Sequence, residues 1–133
     1  EGPDRVVAPN GAEATAEIVD VDGEERVRVT VRCGSVLDEV VLRSYCIGAA
    51  HMALGWVRSE AIAVDDSGTP HDLTIRSFGI LRAVDTPPID VEVIDDGGEP
   101  VNGSDAVFAA VAAAAWRSTG HSPQWPTGLQ SGR

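Results

Sequence analysis

Apolar and polar residues alternate strictly from Arg26 to Arg32. Val27, Val29 and Val31 fall on one side, and Arg26, Arg28, Thr30 and Arg32 on the other. That two-residue period predicts a strand with one buried and one wetted face. Residues 15–21 are β-favouring and Asp22-Gly23 is a strong turn dipeptide, so the two segments predict a hairpin. Cys33-Gly34-Ser35 ends it, and Ser35, with Asp38 three residues on, can cap a helix. Residues 37–60 are too long and too rich in Ala and Leu for a strand, and their apolar positions recur at three and four, which predicts a helix. Gly48 and Gly55 interrupt it at a cost of about 1 kcal/mol each relative to Ala. With Ala49 and Ala50 they form a flat strip, read as a surface for close packing on a sheet or, alternatively, for a cofactor.

Beyond the helix, Ile62 and Val64 predict a short strand, the turn at 65–68 reverses the chain, and Leu73-Thr74-Ile75-Arg76 alternates as the partner strand. Residues 78–85 are less regular, and Thr86-Pro87-Pro88 must be extended. Ile89, Val91 and Val93 then alternate with Asp90 and Glu92 as another strand. Residues 95–103 read as an acidic, glycine-rich loop, and a helix runs from Ser104 to about Arg117 or Ser118, closed by Gly120. Because residues 106–116 are apolar all round, this helix is expected to be buried on more than one side, by its own sheet and by a second subunit or copy. The order predicts an α+β fold, a mixed or antiparallel sheet of about five strands with two main helices packed on it. Residues 1–12 read as an N-terminal arm, 13–120 as a single domain, and 121–133 as an extended tail whose Trp125 marks a docking contact.

Charge narrows the function classes. The 133 residues carry 21 Asp+Glu against 10 basic side chains, a net charge of −11, which opposes binding of nucleic acid or of anionic membranes. No run reaches the length of apolar residues that a membrane span needs, and the N-terminus EGPDRVV lacks a charged-then-apolar signal pattern, so the expected location is the cytoplasm. All the basic residues are Arg, which removes Schiff-base and P-loop lysines. Cys33, Cys46, His51, His71 and His121 have no metal-ligand spacing, and both thiols are expected to be small buried groups. His51 reads as a histidine satisfied by a backbone carbonyl, with a base as the alternative. Asn102-Gly103-Ser104 is explained by a turn and a cap. Ser44, Ser59 and Ser77 lack a nucleophile elbow or a paired histidine.

Three stretches together carry a resemblance. The first runs from Cys33-Gly34 through Arg43-Ser44-Tyr45 and Ile47-Gly48-Ala49-Ala50-His51-Met52-Ala53-Leu54-Gly55-Trp56 to Glu60 and Asp65-Asp66-Ser67-Gly68. The second is Phe78-Gly79-Ile80-Leu81-Arg82-Ala83-Val84-Asp85-Thr86-Pro87, and the third is Gly98-Glu99-Pro100 ahead of an Ala-rich helix. They resemble the C-terminal part of the molybdenum-binding subunit of the xanthine dehydrogenase/aldehyde oxidase/carbon monoxide dehydrogenase-type hydroxylases. The resemblance implies hydroxylation at a molybdenum cofactor bearing a pterin dithiolene, molybdopterin, with iron–sulfur and flavin partner subunits. It implies Glu99 as a catalytic base and Gly48, Ala49, Met52 and Gly55 as cofactor contacts, with no metal ligand in this chain. The lead-in Asp95-Asp96-Gly97 departs from the family pattern, and Tyr45 and Met52 stand where members usually carry glutamine, removing two amides expected to bond the pterin.

On this reading the chain is a C-terminal domain or split small subunit, cofactor-free and inactive alone because the iron–sulfur, flavin and remaining pterin ligands belong to other polypeptide. The rival is a non-enzymatic interaction module that keeps the fold.

Overall fold

The computed structural model describes residues 3–71, 74 and 78–128. Strands β2 (Glu13–Val21) and β3 (Glu24–Arg32) form the predicted hairpin across Asp22-Gly23, with both turn residues at positive φ. Strand β1 (Arg5–Val7) pairs antiparallel with β2, so regular structure starts inside the segment read as an arm. Its three residues are too few to show a period. What holds them is a partner strand, which leaves no local signal in the sequence.

The chain leaves β3 for helix α1 (Glu39–Arg58), two residues shorter at each end than the pattern predicts. Asp38 is its cap: the carboxylate accepts from the Val41 amide at 3.1 Å. Ser35, the predicted cap, instead donates its hydroxyl to the Gly98 carbonyl at 2.8 Å. Strand β4 (Ala63–Val64) pairs with β5 (Pro70–His71), a ribbon tighter than the one predicted. Asp65 closes its turn by accepting from the amides of Ser67 and Thr69. Of the predicted partner strand, Leu73, Ile75 and Arg76 lie outside the described residues.

Strand β6 (Ile89–Ile94) adds parallel to β3, giving a four-stranded mixed sheet in the order β1-β2-β3-β6. Arg26 clamps this junction from the wet face, bonding both oxygens of Asp90 at 3.0 and 3.1 Å. Helix α2 (Ser104–Ser118) closes the fold, with the Asn102 side chain accepting from the Ser104 amide at 2.8 Å. The α+β class, the mixed sheet and the two main helices therefore stand as the pattern predicts.

Both helices pack on one face of the sheet. Val27, Val29, Val31 and Val91 point inward to meet Ala106, Val107, Ala110 and Val111 of α2 and Cys46, Ala50, Leu54 and Val57 of α1. The alanines keep both helix surfaces flat, so α1 and α2 lie in broad contact. Within this chain α2 is therefore covered on two sides. Its second covering surface is α1, and Phe108, on the margin, stacks 5.7 Å from Trp56. By length and composition α1 would suffice to cross a membrane, with mean hydropathy 1.3, but its Cys46-Ala50-Leu54-Val57 stripe forms the domain core. The tail folds back as Trp125 docks 5.1 Å from Trp56 and 6.2 Å from Trp116.

Candidate functional site

Two depressions flank α1. The first lies at its N-terminal end and has a volume of about 390 Å³. Leu37, Val41 and Tyr45 form one wall, and Pro100, Val101 and Gly103 the other. This wall is built by the loop at 95–103, which is laid against the chain leaving β3. Val101 donates to the Cys33 carbonyl at 3.0 Å, the Ser35 amide to Gly98 at 2.9 Å, and the Val36 amide to Asp95 at 3.0 Å. Asp95 also takes the Gly97 amide, and the two backbone N–H bonds hold its carboxyl below the usual range. Gly34 makes the approach possible. It sits at φ +87°, and a Cβ there would lie 2.1 Å from the Glu99 carbonyl oxygen.

Glu99 thus has a fixed backbone and an exposed side chain at the border of this groove, beside Pro100. Among the described residues no element covers the Glu99 side chain.

The second depression, of about 520 Å³, lies between the middle of α1 and residues 83–89. Ser44, Gly48 and His51 line one side, and Ala83, Thr86 and Pro87 the other. A Cβ at Gly48 would meet nothing within 4 Å, so this glycine faces open space and does not pack on the sheet. Gly55 differs: it is buried beneath the Glu60 side chain, whose Oε1 would lie 2.8 Å from a Cβ there. The predicted strip is therefore open at one glycine and closed at the other. Met52 is exposed on the open side, while Ala49 is buried in the core. Glu99 and Gly48 border different depressions.

His51 bonds the Leu81 carbonyl at 2.9 Å. A carbonyl can only accept, so Nε2 carries the proton, the satisfied arrangement expected from the sequence. Cys33 and Cys46 are both buried and unpaired. Burial pushes the Cys46 thiol up to about 11, with Cys33 nearby adding to the effect and Arg43 opposing it. Among the described residues no group of three or more His, Cys, Asp or Glu side chains is placed to hold a metal ion.

The residues beside Gly48 do not by themselves fit a pterin, a bicycle edged with hydrogen-bonding nitrogens and oxygens. Ser44 spends its hydroxyl proton on the Val40 carbonyl, Thr86 on the Arg82 carbonyl, and His51 its Nε2 proton on Leu81. Tyr45 and Met52 are exposed along the same helix. What sequence reasoning missed was the groove at the start of α1, because Leu37 and Val41 fall in a segment read only as helix. The one available signal was that apolar residues fill both sides of the first turn, at Val40, Val41 and Leu42.

Comparison with known proteins places the fold. No family model and no curated protein sequence matches the chain. Solved structures do. The Cu,Mo-CO dehydrogenase in its carbon monoxide reduced state superposes with a TM-score of 0.60 at 17% identity, over 81% of this chain and 16% of that one. Reconstituted CO dehydrogenase from Oligotropha carboxidovorans gives 0.57 at 16% identity, over 72% and 14%. Quinoline 2-oxidoreductase from Pseudomonas putida 86 gives 0.56 at 20% identity, over 83% and 16%. This chain has the fold of a segment of these oxidoreductases. The likeness is one of fold, and the chain spans about one sixth of the length of these structural neighbours.

Proposed function

We propose that this chain is one domain of a molybdenum hydroxylase assembly, the C-terminal domain of its molybdopterin-binding subunit or a split small subunit, working in the cytoplasm. The observation that carries the reading is the fold it shares with a segment of Cu,Mo-CO dehydrogenase. The sequence stretches around Gly48, Asp85 and Glu99 support it independently of the superposition.

In this reading the open surface at Gly48 and Met52 is one wall of the cofactor cavity. The hydrogen-bonding groups that hold the pterin come from other polypeptide, because the hydroxyls and ring nitrogen beside Gly48 are already engaged. Glu99 acts as the base once a partner surface covers its loop and strips its water. Iron–sulfur and flavin subunits are the partners, and the chain alone is inactive.

A second reading, a non-enzymatic interaction module with the same fold, draws on the apolar outer face of α1, where Tyr45 and Met52 are exposed, and on exposed Leu37 just ahead of it. One experiment separates the two. The chain is recovered by an affinity tag from its native host, and molybdenum, iron and flavin are measured per copy alongside the chain produced alone in a molybdenum-replete host. The oxidoreductase reading expects all three in the native complex and none on the chain alone. A native complex lacking molybdenum supports the module instead.

A further inference from the structure

The two faces of the domain differ in kind. The outer face of the sheet is charged, with Glu17, Arg28, Arg32 and Glu92 alternating between buried valines and alanines. The outer face of the helical layer is apolar. Leu37, Val40 and Tyr45 are 83%, 76% and 66% exposed, and Val41, Met52 and Trp56 about half exposed. Val41, Tyr45, Gly48, Met52 and Trp56 follow one another at three or four residues, so they form one stripe along α1. A contiguous apolar surface of this kind on a water-facing helix marks an interaction site.

At the start of α1 the stripe runs into the 390 Å³ groove, whose apolar lining includes Leu42, Pro100 and Val101. Asp38 lines this groove, and further carboxylates stand next to its lining residues in the chain. Asp38 and Glu39 lie at the helix start, and Asp96 and Glu99 on the loop that forms the opposite wall. The neighbouring cation, Arg43, is spent on Glu39 at 2.6 Å and on the Val91 carbonyl. Likewise Arg58, at the far end of the helix, is held by Glu25 at 2.6 Å. An apolar groove with an anionic rim selects its occupant by charge. A second copy would bring the same carboxylates to the same rim, and an anionic bilayer would be repelled by them.

We infer that this groove docks a basic, apolar-anchored segment of a partner polypeptide, with the anchor seated against Leu37, Val41 and Tyr45 and its Lys or Arg side chains paired with Asp38 and Asp96. The inference rests on the surface itself and holds whether or not the assembly carries molybdenum. The geometry is that of helix-in-groove recognition, in which apolar anchors give affinity and rim charges give rate and selectivity.

The test is selection from a random-peptide display library on the folded chain, followed by binding measurements on the winning peptides. The expected winners carry net positive charge around an aromatic or aliphatic anchor, and their binding weakens as salt rises. Tyr45→Glu should weaken them roughly tenfold or more, the scale of losing a central anchor contact. Leu37→Glu, which lies outside the helix and cannot unfold it, should do the same. Arg28→Glu on the sheet face should leave binding unchanged. The proposal is overturned by winners that are neutral or acidic, by no winners at all, or by binding indifferent to both Leu37→Glu and Tyr45→Glu. It is equally overturned if sedimentation shows a dimer that Leu37→Glu dissociates, or if the chain binds phosphatidylglycerol vesicles through this face.

Discussion

Glu99 shows how a residue can be placed by its backbone before its side chain has a task. The loop at 95–103 is tied to the chain after β3 by three backbone donors and the Ser35 hydroxyl, and Gly34 lets the two strands of chain approach to a distance that a side chain would forbid. If Glu99 is the base of the complete assembly, Glu99→Gln should leave folding and cofactor content intact while lowering turnover by about a hundredfold, the usual scale for a positioned base. Unchanged steady-state turnover would assign it to the loop alone. Cys46 has a different role. Its folded-state thiol is raised from 9.0 to about 11, so the fold favours the neutral form. Its contribution to stability is full below pH 9 and is lost as pH rises through 11. Urea midpoints should therefore fall between pH 9 and 11, and fall less in Cys46→Ala; parallel declines in both proteins would contradict this. The burial of the thiols and the carbonyl partner of His51 were legible in the sequence, because each follows from what a residue of that type needs inside a protein. The split fate of Gly48 and Gly55 was not. It depends on Glu60, five residues beyond the second glycine, folding back over it once the helix has ended.

At the scale of elements, the long periodic segments and the short strand at Ile62 and Val64 were legible, and β1 and the place of β5 were not. Strands β2, β3 and β6 and both helices carry their period in their own residues, so burial of one face determines where each lies. Strands β1, β4 and β5 have two or three residues each and exist because a neighbour supplies the other half of the ladder. The start of α1 shows the same limit in another form. Ser35 and Asp38 are both capping residues, and the choice falls to Asp38 because the loop after β6 claims the Ser35 hydroxyl and amide. Asp38→Ala should therefore destabilise the domain by about 1 kcal/mol, read as a lower urea midpoint at unchanged slope. Ser35→Ala should act instead on the loop, loosening the wall that carries Glu99, and faster amide exchange at 97–101 would register it. A cap-sized loss of α1 helicity in Ser35→Ala, with none in Asp38→Ala, would reverse the assignment.

At the scale of the molecule, the asymmetry between a charged sheet face and an apolar helical face is what joins fold to function. The charged face was readable from the alternation of β3 alone. The apolar face was hidden by the same arithmetic that found the helix: α1 has apolar residues on both sides, and periodicity reports that a helix exists without reporting which of two apolar sides its own domain uses. Its inner stripe meets α2, while on its outer stripe Trp56 meets Phe108 and Trp125 and Tyr45 and Met52 stay exposed among the described residues. That is the surface expected of a domain seated among other polypeptide, and it agrees with a fold found as about one sixth of larger oxidoreductase chains. The most direct measurement is hydrogen–deuterium exchange and side-chain footprinting of this chain alone and within the complex recovered from its native host. Residues 37–56 and 98–101 should be protected in the complex, with Tyr45, Met52 and Trp56 losing reactivity and the sheet face unchanged. Protection confined to the sheet face, or no difference between the two samples, would contradict this.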